Sequence, residues 1–215
     1  MAGKTSAEIF TEIYERGIWG QSRTGERYYS GSGSHDEAIT GPYIAAVEAF
    51  LDSFPEKPDV VDLGCGDFAI GARIRRKCKQ YVACDIVPSL IEHHRAAHAG
   101  SDVRFEIVNL ASDSLPAGDI AFIRQVLQHM SNAEIAAAIP KLKAQYRYLI
   151  VTEHVPAGEF IPNKDKAPGA DIRTVNGSGV VLTAEPFSLS VLEAHLLCEV
   201  EEYGAMIQTY LYRLS

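Results

Sequence analysis

The sequence predicts an α/β sandwich of three layers, in which helices cover both faces of a seven-stranded and mostly parallel sheet. Two observations predict this fold. From residue 58 onward, short runs of β-branched residues alternate with helix-like segments, which is the pattern of βαβ units. The chain ends with two strand-like runs at 198–203 and 206–212, which Gly204 and Ala205 join closely enough for a hairpin. We therefore expect an antiparallel C-terminal hairpin strand in the sheet.

The individual elements are predicted from these runs and from local end signals. Pro88 is favoured in the first turn of a helix, and Ser131 with Glu134 has the spacing of a capping box before an alanine-rich stretch. Ser190 and Glu193 repeat that spacing and predict a further helix before the hairpin. The remaining elements are strands at 59–63, 81–85, 103–108, 119–125 and 148–153, and a helix at about 70–79.

Composition narrows the class of protein. With 215 residues, of which 47% are hydrophobic, the chain is long enough to bury a core and short enough to be one domain. Its formal charge of −8 argues against broad binding to nucleic acid or to an anionic membrane surface. No apolar run approaches the roughly 18 residues that span a bilayer, and the first residues lack a signal-peptide core. We therefore expect a soluble, cytoplasmic protein.

Neither the histidines nor the cysteines predict a metal site. His94 and His98 lie four residues apart on one helix face, but no third ligand is evident, and the neighbouring Glu92 and Arg95 indicate solvent on that face. The cysteines show no CxxC spacing and are expected to be reduced and mostly buried. They are Cys65, Cys78, Cys84 and Cys198.

Two long segments fit no regular element and are predicted to be lids. Residues 17–42 carry six glycines, and residues 156–179 carry several charged side chains. Loops beyond roughly 12–15 residues in a compact domain are usually functional or disordered. We therefore divide the single domain into an N-terminal helix with a Gly/Ser-rich lid at 1–42, and a core at 43–215 that contains the second lid.

The lids contain candidate substrate-binding side chains. The run from Ser30 to His35 alternates serine and glycine, so it is either a backbone cradle for an anion or a flexible linker. Two cationic side chains of the second lid are candidates for holding an anionic substrate. The full set of lid candidates is Tyr28, Tyr29, Ser32, Lys164 and Arg173.

The stretch from Val60 to Ala69 ends a strand with a carboxylate and turns into a helix through two glycines. Gly64 and Gly66 allow positive φ and close approach of a ligand, and the helix N-terminus offers free N–H groups. The bare pattern Gly-x-Gly-x-x-Ala also fits the dinucleotide fingerprint. Asp62, however, suits a ligand with a cation or several hydroxyls and suits a pyrophosphate badly. S-adenosylmethionine, which has ammonium and sulfonium groups, therefore fits better than NAD.

Asp85 ends the next strand, 23 residues after Asp62. A carboxylate at this place can accept hydrogen bonds from both ribose hydroxyls of a nucleoside, each contributing about 1.5–3 kcal/mol. The alternative is a capping role before the helix that Pro88 opens.

Four segments, taken with the order of elements and the terminal hairpin, resemble the class I S-adenosylmethionine-dependent methyltransferases over about residues 43–215. The segments are Asp62–Gly66, Asp85, Asn109-Leu110 and Gln125–Met130. The resemblance implies a Rossmann-like fold, with S-adenosyl-L-methionine as cofactor and S-adenosyl-L-homocysteine as product. It places Gly64 and Gly66 beside the methionine part of the cofactor, Asp85 at the ribose, and Asn109-Leu110 at the adenine. The cofactor-binding residues it implies are Asp62, Gly64, Cys65, Gly66, Asp85, Ile86, Asn109, Leu110 and Gln125.

The chain departs from the family pattern at two positions. The third glycine of the family's turn would fall at Phe68, which leaves the conformation of the loop open. Many members carry aspartate where this chain has Asn109, although an asparagine oxygen can still accept a hydrogen bond from an adenine amino group.

The implied reaction is an in-line displacement at a sulfonium carbon, for which positioning of the acceptor alone can supply roughly 7–11 kcal/mol of the barrier. If the acceptor is a hydroxyl or a protonated amine, a base is also required. His129, Glu153 and His154 follow the fourth and fifth strands at the ligand-binding edge and are the candidates. Alternatively, His129 packs at a helix start and Glu153 pairs with a lid lysine.

These observations predict methyl transfer from S-adenosylmethionine to a small-molecule acceptor. Methylation of a protein side chain is the nearest alternative. The Gly-x-Gly-x-x-Ala match keeps open an NAD-dependent oxidoreductase, and a non-catalytic cofactor-binding protein is a third class, since a bound cofactor does not prove turnover.

Overall fold

The computed structural model describes residues 3–23 and 25–215, and its centre is a seven-stranded sheet. The strands are β1 (Val60–Leu63), β2 (Tyr81–Asp85), β3 (Val103–Ile107), β4 (Ile120–Arg124), β5 (Tyr148–Pro156), β6 (Glu193–Glu202) and β7 (Ala205–Arg213). Their order is β3-β2-β1-β4-β5-β7-β6. The first five strands pair in parallel, whereas β7 runs antiparallel to both β5 and β6. The predicted sandwich with its C-terminal antiparallel strand is therefore confirmed.

Helices cover both faces of this sheet. They are α1 (Ser6–Glu15), α2 (Glu37–Asp52), α3 (Ala69–Ile74), α4 (Pro88–Ala97) and α5 (Asn132–Gln145). The buried residues of β1 alternate between the two faces, because Val60 packs in the cluster of α2 and Val61 in the cluster of α5. A strand that is covered on both faces has to be apolar at successive positions, as β1 is at Val60 and Val61.

The local end signals are confirmed at two of the three predicted helix starts. Pro88 occupies the first turn of α4, and Ser131 forms a capping box with Glu134 at the start of α5. The third, at Ser190, was wrong: β6 begins at Glu193 and pairs along its length with β7. The main-chain N–H of Leu192 already donates to the carbonyl of Arg213, 2.8 Å away. A long ladder of backbone hydrogen bonds thus prevails over a four-residue capping pattern.

Several predicted boundaries shift. The helix after the glycine turn is α3 followed by a 3-10 turn at Arg75–Lys77, while β5 extends three residues beyond its predicted end, to Pro156. The boundary predicted at residue 43 falls inside α2, which Asp36 caps by accepting from the N–H of Ala38, 2.9 Å away.

Two further expectations concern the thiols and the helices. The four cysteines are free; Cys78 and Cys84 are buried, and Cys65 and Cys198 are half-buried. Among the described residues, no helix has the length and the apolar character that crossing a bilayer would require.

Candidate active site

A cavity of about 370 Å³ opens at the carboxyl ends of β1, β2 and β4. The strands β2 and β3 lie on one side of β1, whereas β4 and β5 lie on its other side. The strand order therefore reverses beside β1. Open α/β sheets bind ligands at such a switch point. The opposite walls come from α1, the loop 30–34, residues Ala170 and Ile172, and the tip of the β6–β7 hairpin.

The glycine turn forms one wall, and its glycines are required sterically. Gly64 has φ of +89° and Gly66 has φ of +54°. A Cβ on Gly64 would overlap the side chain of Val126, and a Cβ on Gly66 would overlap Ser30 Oγ. Both positions therefore exclude other residues for reasons of conformation and of space.

Asp85 holds this turn and also faces the cavity. One carboxylate oxygen accepts from the N–H of Gly66 and the other from the N–H of Val87, each at 3.1 Å. Asp85 lines the cavity wall, and it does not cap α4, whose N-cap is Val87 without a side-chain cap. Each oxygen keeps a further lone pair for a ligand. Burial raises the pKa of Asp85 to about 6.

Asp62 also lines the cavity and is buried. Its Oδ2 accepts a hydrogen bond from the hydroxyl of Tyr81, 2.9 Å away. Burial raises the pKa of the Asp62 carboxyl to about 7, although this hydrogen bond opposes the shift. A cationic group in the cavity would favour the charged form of this carboxylate.

Phe68, at the third-glycine position, adopts the left-handed conformation that glycine would provide. Its φ is +64°, and its ring is buried against Tyr81, His98 and Phe105 with centroid distances of 6.0, 5.3 and 5.0 Å. The turn therefore keeps its geometry with a strained aromatic residue that packing fixes in place.

His94 lies in the same aromatic cluster and bonds to the glycine turn. Its Nε2 is 2.7 Å from the carbonyl oxygen of Gly66, so Nε2 carries the proton and donates. The expectation of a solvent-facing helix face was wrong for His94, which is buried and stacked on Phe105. The peptide groups of Gly66 are thus held at both ends, by Asp85 on its N–H and by His94 on its carbonyl.

The remaining cofactor candidates also lie in the cavity wall. Asn109 Oδ1 accepts from the N–H of Ala111 at 2.9 Å, and Gln125, with φ of +55°, donates its N–H to the carbonyl of Thr152 at 2.7 Å. The structure thus brings together the whole predicted cofactor set of Asp62, Gly64, Cys65, Gly66, Asp85, Ile86, Asn109, Leu110 and Gln125.

The first lid is bonded directly to the glycine turn. Ser30 Oγ accepts from the N–H of Asp67 at 2.9 Å, and Asp67 Oδ2 accepts from the N–H of Ser30 at 2.7 Å. The same carboxylate oxygen is 2.7 Å from Nε2 of His35, and the hydroxyl of Tyr14 lies 3.0 Å from Ser30 Oγ. Ser32 lines the cavity and bonds to Glu202 at 3.2 Å.

Tyr28 and Tyr29 do not belong to the described cavity wall. Tyr28 is buried in a cluster with Val87 and Leu90, and Tyr29 stacks on His35 with 4.5 Å between ring centroids. They anchor the lid, so their predicted contact with substrate is corrected. From the N-terminal segment, Phe10, Tyr14 and Trp19 line the cavity instead, although the sequence did not predict their role.

The second lid also turns its charged side chains away from the described cavity wall. Lys164 Nζ donates to the carbonyl of Asn176 at 3.0 Å. Arg173 is buried, and its guanidinium donates to the carbonyls of Met130, at 2.7 Å, and Lys164. The two predicted anion-binding residues of this lid are therefore corrected: they hold backbone carbonyls within the loop and at its junction with the core.

His129 lines the cavity and is buried next to Trp19, with 5.1 Å between ring centroids. Its Nδ1 is 3.1 Å from the carbonyl of Gly169, so Nδ1 carries the proton. Nε2 is then the accepting nitrogen, and the side-chain amide of Gln128 donates to it at 3.3 Å. Burial lowers the pKa of His129 to about 4, so the ring is neutral at pH 7.

The other two candidate bases differ from each other. Glu153 is buried outside the described cavity wall, and its two oxygens accept from the N–H groups of Leu127 and Gln128 at 3.0 and 2.9 Å. Its predicted catalytic role is therefore corrected to holding the 3-10 turn that carries His129. His154 does line the cavity, with its Nε2 donating to the carbonyl of Glu202 at 3.2 Å.

Comparison with known proteins found one family match and many structures of the same fold. Residues 60–147, from β1 to the end of α5, match the family model of the methyltransferase domain. A search of the curated proteins found no match. Together with the fold, the family match agrees with the predicted resemblance to the class I S-adenosylmethionine-dependent methyltransferases.

Solved structures share the fold over nearly the whole chain. The N-methyltransferase NodS from Bradyrhizobium japonicum WM9, in complex with S-adenosyl-L-homocysteine, has a TM-score of 0.67 at 13% identity, covering 96% of this chain and 98% of that chain. The magnesium protoporphyrin IX methyltransferase ChlM from Synechocystis PCC 6803, with bound S-adenosylmethionine, has a TM-score of 0.61 at 17% identity, covering 100% of both. The N-terminal domain of EvdMO1, in the presence of S-adenosylhomocysteine and D-fucose, has a TM-score of 0.60 at 17% identity, covering 99% of this chain and 100% of that chain.

Proposed function

We propose that the chain transfers a methyl group from S-adenosyl-L-methionine to a small-molecule acceptor and releases S-adenosyl-L-homocysteine. The observation that carries this proposal is one cavity, about 370 Å³ in volume, that combines the glycine turn, Asp62 and Asp85 with an aromatic wall from the N-terminal segment. Such a volume is within the range of small-molecule sites, about 300–1,000 Å³. The bound S-adenosylhomocysteine and S-adenosylmethionine of the solved structures, and the magnesium protoporphyrin IX named for one of them, support the same assignment.

The residues of the cavity fit this cofactor. Asp62 and Asp85 present two carboxylates to the cavity, which suit an ammonium group and ribose hydroxyls and would repel a pyrophosphate. Ile86, Val108 and Leu110 supply an apolar wall beyond Asp85, as an adenine ring requires. The glycine turn fits the dinucleotide pattern, but the two carboxylates beside it argue against NAD as the cofactor.

The coverage of the cavity favours a small acceptor over a protein side chain. Phe10 and Trp19 close one side, and Trp19 Nε1 donates to the carbonyl of Ala170 at 3.4 Å, which joins the first lid to the second. Glu202 closes another side through its bond to Ser32. A folded protein substrate would have to displace segments that bond to each other across the cavity.

When bound, S-adenosylmethionine supplies an electrophilic methyl group on a sulfonium centre, which a nucleophile of the acceptor takes by in-line displacement. The side chains of this chain bind and orient the reactants and exclude water. His129 lines the cavity and is the candidate to accept a proton from a hydroxyl or ammonium acceptor. Its Nε2 already accepts from Gln128 and its pKa is about 4, so the transfer requires that this hydrogen bond be exchanged for one from the acceptor. Glu153 keeps the turn of His129 in place.

Calorimetry with S-adenosylhomocysteine and with NAD tests the cofactor, and methyl transfer from labelled S-adenosylmethionine tests the acceptor class. We expect heat from the adenosyl compound alone, and label in small molecules rather than in protein of a cell extract. Binding of NAD without binding of S-adenosylhomocysteine would refute the proposal. Label confined to protein would favour the side-chain methyltransferase, and binding without any transfer would favour a non-catalytic protein.

A further inference from the structure

The cavity contains one strongly cationic side chain that the cofactor assignment does not use. Arg124 ends β4 and lines the cavity, and it is the only lysine or arginine among the described wall residues. The same wall carries four carboxylates, those of Asp62, Asp85, Glu134 and Glu202. An anionic ligand group is therefore favoured near Arg124 over positions next to these carboxylates.

The guanidinium of Arg124 has only neutral partners. Its nitrogens donate to the carbonyl of Gly33 at 2.5 Å, to Gln125 Oε1 at 3.1 Å and to Ser34 Oγ at 3.5 Å. The group also lies over the ring of Tyr43, 5.0 Å from its centroid. Within the described part of the chain, no carboxylate forms an ion pair with it, and its buried Nε has no hydrogen-bond partner.

The side chain of Arg124 is half-buried, and its Nε is fully buried. A buried charge is costly unless it is paired, and an unused buried donor adds to that cost. Arginine presents a planar fork of donors that matches a carboxylate, which makes it a common residue for recognising that group. Burial lowers the pKa of Arg124, although the charges of Asp62 and Asp67 oppose the shift.

We propose that Arg124 is the anion-binding residue of the cavity and receives a carboxylate of the bound molecules. This inference rests on the proposed function. The carboxylate has two possible sources, the amino-acid end of the cofactor and an acidic group on the acceptor. Lys164 and Arg173, from which the sequence predicted anion binding, are both engaged with backbone carbonyls instead.

The test compares the wild type with Arg124→Gln and with a matched control, Arg147→Gln. Arg147 stacks on Tyr148 at 5.1 Å, much as Arg124 stacks on Tyr43, but it is exposed and lies outside the described cavity wall. Each protein is titrated with S-adenosylhomocysteine and with 5′-methylthioadenosine, which lacks the amino-acid carboxylate. Protein saturated with S-adenosylhomocysteine is then titrated with acetate and benzoate. Thermal melting of each variant verifies folding.

If the carboxylate is that of the cofactor, Arg124→Gln should weaken the binding of S-adenosylhomocysteine at least tenfold and leave the affinity for 5′-methylthioadenosine within twofold of the wild type. An acceptor source predicts unchanged binding of both adenosyl compounds, and carboxylate binding by the wild type and Arg147→Gln that Arg124→Gln loses. If the wild type binds both adenosyl compounds and Arg124→Gln matches Arg147→Gln in every titration, the assignment of Arg124 is overturned. If the wild type binds neither adenosyl compound, the proposed function itself fails and this inference fails with it.

Discussion

Replacing Phe68 by glycine restores the third glycine of the family pattern. The substitution has two opposite effects on the free energy of folding. The left-handed conformation of Phe68 costs about 1–2 kcal/mol, which Phe68→Gly would recover. The ring, however, is only 3% exposed, and removing a buried phenylalanine side chain costs about 3–5 kcal/mol. Packing therefore prevails, and at central values the variant loses about 2–3 kcal/mol of folding free energy. For a chain of this size, that corresponds to a fall in Tm of roughly 4–12 °C.

Tyr203 provides a matched control at the β6–β7 turn. It is also left-handed, with φ of +52°, but it is 90% exposed and precedes Gly204. Tyr203→Asn keeps a residue that tolerates this conformation and gives the turn an Asn-Gly pair, so Tm should stay unchanged or rise by up to about 4 °C. Differential scanning calorimetry measures both variants. A Tm of Phe68→Gly at or above that of the wild type would refute the view that packing, and not glycine-like freedom, fixes this turn.

Four further results are expected at the cofactor turn and the cavity wall, and calorimetry with S-adenosylhomocysteine reads out the first three. Asp85→Ala should weaken binding more than tenfold, because the turn loses its acceptor and the ribose its partner; near-wild-type affinity would disprove the ribose role. Affinity should fall as pH drops from 8 to 6, because protonation of Asp62, whose pKa is about 7, removes the charge that faces the ammonium group, and Asp62→Asn should flatten this dependence. His94→Leu should weaken binding at least fivefold, whereas His98→Leu, from the same aromatic cluster, should stay within twofold; equal losses would show that the cluster matters and the bond to the turn does not. His129→Ala should lower turnover more than affinity, measured by methyl transfer beside binding, and equal losses in both would indicate a structural role.

The features predictable from the sequence are those that local chemistry determines. Strand alternation, the glycines of the turn and the capping box at Ser131 each depend on residues within a few positions, and they are found where predicted. The false helix at Ser190 shows the limit, because its pattern is local and the competing partner, β7, is a distant segment. Long-range pairing cannot be read from a four-residue window.

Side-chain direction in the lids was the other quantity that the sequence could not supply. The first predicted lid, at 17–42, includes the start of α2, and within it Tyr28 points into a buried cluster while Trp19 reaches the cavity. An irregular segment has no periodicity that would fix which of its residues face inward. The same reason explains Arg124: strand periodicity places it at the end of β4, but only the packed loop shows that its guanidinium donates to the carbonyl of Gly33.

The N-terminal segment is part of the cofactor site as well as its cover. Asp67 lies within the turn between β1 and α3, and both its N–H and its carboxylate bond to Ser30. The overlap that a Cβ on Gly66 would make is also with Ser30 Oγ, so the small size of Gly66 serves the lid as much as a ligand. Moving the lid away therefore breaks three hydrogen bonds with Asp67, two with Ser30 and one with His35, and leaves its carboxylate bonded to the N–H of Ala69. Access to the cavity by way of this lid and the shape of the cofactor turn are consequently coupled, and the predicted core at 43–215 does not contain a complete site by itself.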